Sequence, residues 1–170
     1  MRKYGNMFRA TDCPNEALTN RVRIVDLRLI SDTTAVHSDM YVWHNNEPVE
    51  QSALQLLNVL FSVPQLSVKL NDVSQEHLDM IKFWTQYWKK NRDVFLEGTF
   101  IPSSPHANYP TIRGRHPDKT IIAVYEDVVV PITSADSGSI DIVNGKISPE
   151  IILDVHQEMG IQSVQVYDCR

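Results

Sequence analysis

The spacing of apolar and polar residues changes character once along this chain. In the first part, short apolar runs alternate with stretches of helical period. Tyr4 to Arg9 reads as a strand, followed by the turn Ala10-Thr11-Asp12-Cys13. Pro14 suits a first helical position, where its missing N–H costs no hydrogen bond. Leu18, Val22, Val25 and Leu29 carry that helix to about Ile30. Ala35 to Trp43 reads as a second strand with its exit. Pro48 opens a helix with Val49, Ala53, Leu56, Leu57 and Leu60 on one face, and Pro64 ends it. Leu66-Ser67-Val68 is a short third strand. Ser74 caps a third helix, with Glu76 in its first turn and Lys89, Lys90 and Arg92 at its end, as the helix dipole favours. Leu78, Ile81, Trp84 and Trp88 form its apolar stripe. Strands alternating with helices in this way predict βαβ units and a parallel sheet.

From Gly98 onward the pattern is one of short strands and turns: Ile121 to Tyr125, Val128 to Ile132, Ser139 to Val143, and Ile161 to Tyr167. Asn144-Gly145, between Ile142 and Ile147, is a two-residue hairpin signal. Antiparallel sheet is therefore expected here. The pattern divides the chain into an α/β part, residues 1–97, and a β part, residues 98–170.

Composition narrows the function classes. The 170 residues are 42% hydrophobic and 22% charged, with a formal net charge of -5, as in ordinary globular domains. No basic block exceeds Lys89-Lys90, which argues against nucleic-acid and anionic-membrane partners. Gln51 to Val68 lacks formal charges over a membrane-span length, but its polar residues and Pro64 divide it into a helix and a strand. The N-terminal charges are not followed by an apolar run, so no secretion signal is visible and a cytoplasmic location is expected. Cys13 and Cys169 stand at opposite ends and make no metal-type pair. No pair of histidines has ligand spacing with a partner, and no Gly-rich phosphate loop occurs. No metal and no cofactor are expected.

Three strand–helix units cannot close a barrel, which needs eight. The residues themselves make the reading more specific. Phe8-Arg9-Ala10-Thr11-Asp12-Cys13-Pro14-Asn15-Glu16-Ala17, ending in Asn20-Arg21, resembles the acid/base segment of the melibiase-type retaining alpha-galactosidases. Thr34-Ala35-Val36-His37-Ser38-Asp39-Met40 looks like the next barrel strand with its active-site end. Ala53 to Ser62 looks like the last barrel helix, and Glu76 to Val94 resembles the family's helix with its Arg92-Asp93 exit. Ile121-Ile122-Ala123-Val124-Tyr125 resembles the first strand pair of the appended β-sandwich. The resemblance covers nearly the whole chain and weakens after Ile132. It implies the last strand–helix units of a TIM (β/α)8 barrel followed by a small antiparallel β-sandwich.

The resemblance also implies that Asp12 is the catalytic acid/base. Retaining glycosidases need two carboxyl groups about 5–5.5 Å apart, one attacking the anomeric carbon and one protonating the leaving oxygen. The family's nucleophile lies on an earlier strand, in a Lys-Trp-Asp segment, and these 170 residues contain none. From spacing alone Asp12 reads instead as a helix cap before Pro14. Arg9 is a candidate to hold a sugar hydroxyl through paired donors, or to make a salt bridge. His37 and Asp39, two apart on a strand, share a face. They are candidates for sugar contacts or for an internal pair. Trp43 would stack on a sugar or pack, whereas Trp84 and Trp88 read as core.

The expected function is that of a C-terminal fragment of an alpha-galactosidase-like glycoside hydrolase acting on alpha-galactoside oligosaccharides. It would contribute the acid/base and part of the sugar pocket, and would be inactive alone. The alternative is a non-catalytic carbohydrate-binding or interaction β module. Uncovered barrel edges would favour self-association into homo-oligomers.

Overall fold

The computed structural model describes residues 5–12, 16–32, 34–41, 43–44, 46–136, 138–156, 160 and 163–168, with the backbone alone for 39–41. The chain divides into two compact units after Glu97.

The first unit is a βαβαβ arrangement followed by two helices. It comprises β1 (Met7–Arg9), α1 (Ala17–Ser31), β2 (Ala35–Tyr41), α2 (Val49–Asn58), β3 (Val63–Leu66), α3 (Gln75–Lys90) and α4 (Arg92–Leu96). The sheet has the order β1-β2-β3, and both pairings are parallel. Right-handed crossovers between sequential neighbours put α1 and α2 on one face of it. Burial along β2 follows that placement: Val36 and Ser38 are buried, while Ala35 and His37 are only partly covered. On β1, Met7 is 52% exposed. Parallel sheets are normally covered on both faces. On β2 the face carrying Ala35 and His37 is the less covered of the two.

Several boundaries differ from the sequence expectation. The inward face of α1 carries Asn20, Arg21, Ile24 and Val25, while Leu29 is 53% exposed. Polar anchoring turns the helix: Arg21 Nη1 donates to Asn58 Oδ1 (2.7 Å), so the guanidinium must face α2. The N-cap of α1 is Glu16, not Asp12, and the start expected at Pro14 lies outside the described residues. Helix α2 stops at Asn58, short of Pro64, and the third strand is 63–66 in place of 66–68. Pro64 fits there because β3 is an edge strand, where a missing N–H costs no ladder bond. In α3 the fully buried positions are His77, Met80 and Trp84. Leu78, Ile81 and Trp88 are half-buried on its flanks.

The connection from α2 to β3 is buried from Val59 through Ser62. A buried turn must satisfy its own carbonyls. Trp88 Nε1 donates to Leu60 O (3.1 Å) and Ser62 O (2.9 Å). Arg28 Nη1 donates to Phe61 O (2.8 Å) and to Phe95 O. Burial pushes the Arg28 guanidinium down to about 10. Phe61 and Phe95 meet edge-to-face at 5.2 Å, and Trp88 stacks on Phe95. One knot of side chains thus ties α1, the turn, α3 and α4 together.

The second unit contains β4 (Thr99–Pro102), β5 (Thr111–His116), β6 (Lys119–Val124), β7 (Val129–Ile132), β8 (Ser139–Asn144) and β9 (Ile152–Val155). They form a four-stranded sheet, β4-β5-β6-β8, and a two-stranded sheet, β7-β9. Ile122, Val124, Val130 and Ile132 form the buried centre between them, joined by Ile140, Ile142 and Val155. Only β4-β5 and β5-β6 are antiparallel; β6-β8 and β7-β9 are parallel, so the all-antiparallel expectation is corrected. From β6 on, the chain alternates between the sheets. Each return to a sheet therefore runs in the direction of the strand it left.

The hairpin expected at Asn144-Gly145 does not form. Asn144 folds a local turn, its side chain accepting from Lys146 N (3.2 Å) and donating to Ser148 O (2.8 Å). Gly145 serves close packing, since a Cβ there would lie 2.6 Å from the Tyr125 ring. Of the last strand expected at 161–167, residues 163–167 carry no strand and the first two lie outside the described residues.

A buried carboxylate ties β5 to the turn after β7. The Asp136 side chain is fully buried and accepts from Arg115 Nε (2.9 Å), Thr133 N (3.0 Å) and Thr133 Oγ1 (3.2 Å), with Arg113 Nε at 3.4 Å. Burial alone would raise its affinity for a proton. The Thr133 amide, the Arg115 hydrogen bond and the two guanidinium charges outweigh that, and the net shift is downward.

Two outcomes are expected. Arg28→Met leaves the Phe61 and Phe95 carbonyls without this donor and should lower stability by about 2–5 kcal/mol. All three tryptophans lie in the first unit, so their fluorescence in urea reads this directly; an unchanged midpoint would contradict the account. Asp136 titrates lower in the folded chain than in the unfolded one. Its stabilisation is complete above the unfolded carboxyl's range and is lost as pH falls through the folded value. Asp136→Asn should cost the second unit about 3–5 kcal/mol at pH 7, with the difference from wild type shrinking in acid, measured by amide exchange at Ile122 and Val130.

Candidate functional site

Arg9 and Asp12 stand at the C-terminal end of β1, which the register sets level with the first half of β2 and the start of β3. Arg9 is the last residue of β1, and Asp12 follows in the loop three residues on. Parallel pairing puts Arg9 beside His37 on β2 and His37 beside Val63 on β3. Cross-strand partners share a face, so Arg9 and His37 are neighbours on the less covered side of the sheet. The ladder continues one step further, with Ala10 N donating to His37 O (3.3 Å). Arg23 of α1 steadies the loop through Thr11 Oγ1 (3.2 Å).

Asp12 is an open carboxylate. Its Oδ1 lies 2.8 Å from Arg9 Nη1, with the two side chains 85% and 40% exposed. A proton donor in glycoside hydrolysis needs shielding from water, and the described residues provide little of it. The helix-cap alternative for Asp12 is removed by the cap at Glu16. For Arg9, the salt-bridge reading is the one seen.

Asp39 falls where the β2–β3 register shifts, between His37 and Met40. Strict alternation therefore does not carry across from His37, and the Asp39 side chain lies outside the described residues. Cys13 also lies outside them. Trp43 is buried and stacked on His77 at 5.9 Å, so it packs in the core.

A buried polar group that sequence reasoning missed centres on His77. Its Nδ1 lies 2.7 Å from Ser74 Oγ and its Nε2 3.1 Å from Ser52 Oγ. Each hydroxyl can donate or accept, so the ring is satisfied in either tautomer. Ser52 is completely buried, which denies it a nucleophile's access to substrate. The group joins α2 to α3. Its sequence signal was His77 at the third helical position, where a capping box usually has Glu or Gln.

No protein-family model, curated protein or solved structure matches the chain. No helix among the described residues is long and apolar enough to cross a membrane, and Gln51 to Val68 is divided between α2 and β3.

Because the Arg9–Asp12 pair is exposed, it should add little to stability. Asp12→Asn is expected to change unfolding free energy by less than about 1 kcal/mol, measured by urea titration. A larger loss would mean that Asp12 has a structural role that this geometry does not provide.

Proposed function

We propose that this chain is the C-terminal part of a retaining glycoside hydrolase of the alpha-galactosidase type, contributing the acid/base Asp12 and one side of the sugar pocket. The observation that carries the reading is the position of Asp12 beside Arg9 and near His37. His37 sits beside Arg9 in the first half of β2, on the less covered side of the sheet, and Arg9 and Asp12 stand at and just past the carboxyl end of β1. Catalytic groups of (β/α)8 enzymes stand at that end of their strands, and a strand face turned away from the helices is the one that lines a barrel. In this reading the first unit is the last part of a (β/α)8 barrel and the second an appended β domain.

The chemistry assigns distinct roles. A nucleophilic carboxylate from an earlier strand would attack the anomeric carbon, and Asp12 would protonate the departing oxygen and then activate water. The remaining strands would shield Asp12 from solvent, which a proton donor requires. Arg9 would orient the Asp12 carboxyl and lie within reach of a sugar hydroxyl. His37, next to Arg9 on the same face, would take a second hydroxyl. A lone carboxylate cannot complete double displacement, so the 170 residues alone are inert in this reading.

The test begins with 4-nitrophenyl alpha-galactoside and the 170-residue protein, for which no turnover above buffer is expected. A longer protein translated from in-frame upstream DNA encoding a Lys-Trp-Asp segment should hydrolyse it. In that protein Asp12→Asn should lower kcat for melibiose about 10²–10⁴-fold. The loss should be smaller for the 4-nitrophenyl substrate, whose leaving group needs less protonation. Turnover by the 170 residues that Asp12→Asn abolishes would defeat the inert-fragment reading. An upstream frame without such a segment would defeat the parent enzyme.

A further inference from the structure

The second unit carries an open pocket of about 260 Å³, built on the opposite side of β5 from its buried Ile112 and Gly114. Ile101 of β4 is the cross-strand partner of Arg113 on β5, and Ser103 bonds to Thr111 just beyond, so these four residues make the floor. Pro131 and Val129 of β7 form a wall, and Ser104 and Pro110 form a rim. The rim loop holds Ser104, Asn108 and Tyr109 in the left-handed region, at φ 32°, 56° and 58°. Asparagine tolerates this region, whereas a serine and a tyrosine are held there by the surrounding structure, and such strain gathers at binding sites.

Arg113 spans floor and wall. Its Nη2 donates to Pro131 O (2.7 Å) and its Nε approaches Asp136 Oδ1 at 3.4 Å. A guanidinium has five N–H groups, and Nη1 has no partner among the described residues. The charges leave an excess as well. Arg113 and Arg115 supply two positive charges and Asp136 one negative, and Asp136 already accepts bonds on both oxygens. Burial pushes the Arg113 guanidinium below its ordinary range; Asp136 opposes that push and Arg115 adds to it.

We propose that this pocket binds a small organic carboxylate, whose carboxyl group is held by Arg113 through Nη1 and whose carbon body lies against Ile101, Pro110, Val129 and Pro131. A single uncompensated positive charge matches one carboxylate, and the unpartnered Nη1 offers it N–H donors. A phosphate dianion would overcompensate the charge and would gain nothing from the apolar walls. The volume lies below the roughly 300–1,000 Å³ of drug-sized sites, which restricts the guest to a short-chain or single-sugar acid. The proposal concerns the second unit alone and stands or falls independently of the glycosidase reading.

Amide NMR on the 170-residue protein tests it, with butyrate, galacturonate and galactose titrated in turn. Butyrate, galacturonate or both should shift the amides of Ile101, Thr111, Arg113 and Val129 saturably, and whichever binds identifies the body of the guest. Galactose, the neutral counterpart of galacturonate, should not. Arg113→Gln should raise Kd at least tenfold. Val129→Trp fills the mouth from an exposed position, so it should abolish the shifts while the rest of the spectrum is kept. It decides the question if Arg113→Gln does not fold. The proposal is overturned if neither acid shifts these amides, if galactose shifts them as strongly as galacturonate, or if binding survives in folded Arg113→Gln or in Val129→Trp.

Discussion

The first unit depends on satisfying a buried turn. Between α2 and β3 the chain passes through the interior, where three successive carbonyls, of Leu60, Phe61 and Ser62, have no water to bond. Trp88 and Arg28 supply the missing donors. Because Arg28 comes from α1 and Trp88 from α3, one requirement for hydrogen bonds sets where both helices lie relative to the turn. Phe61 and Phe95 then close around the same point. The site follows from that arrangement: the turn delivers β3 into register with β2, and β2 holds β1 with Arg9 beside His37.

The second unit solves a different constraint. Its strands pass back and forth between two sheets, so the parallel pairs β6-β8 and β7-β9 enclose one apolar centre. This topology brings β5 close to the turn after β7, and Asp136 is the link that the closure demands. A buried carboxylate needs donors, and Arg115 with Thr133 provides them while Arg113 adds its charge at 3.4 Å. The two cations more than balance one anion. That excess, beside an apolar pocket, distinguishes this side of the unit from an ordinary sheet face.

The two functional readings rest on different physics. Asp12 is a water-exposed carboxylate just past the carboxyl end of β1, paired with Arg9, and its proposed role needs a second carboxylate beside it. Arg113 stands in a pocket whose floor, wall and charge all come from one unit.

The sequence by itself determined those features that depend on near neighbours. The amphipathic period and Ser74 cap of α3, the apolar cores of β6 and β7, and the clustering of Arg9 and Asp12 within four residues all follow from local spacing. Tertiary structure decided the rest. Burying Arg21 and Arg28 rotated α1 so that Leu29 faces out, and no periodicity rule foresees an inward arginine. Thr111 to His116 has Ile112 as its one large apolar residue, so β5 shows in the fold but not in the pattern. Asn144-Gly145 has the composition of a hairpin, yet its glycine answers to the Tyr125 ring, a contact twenty residues away in the chain. Local preference chooses among turns only when nothing distant competes, and here packing between sheets did.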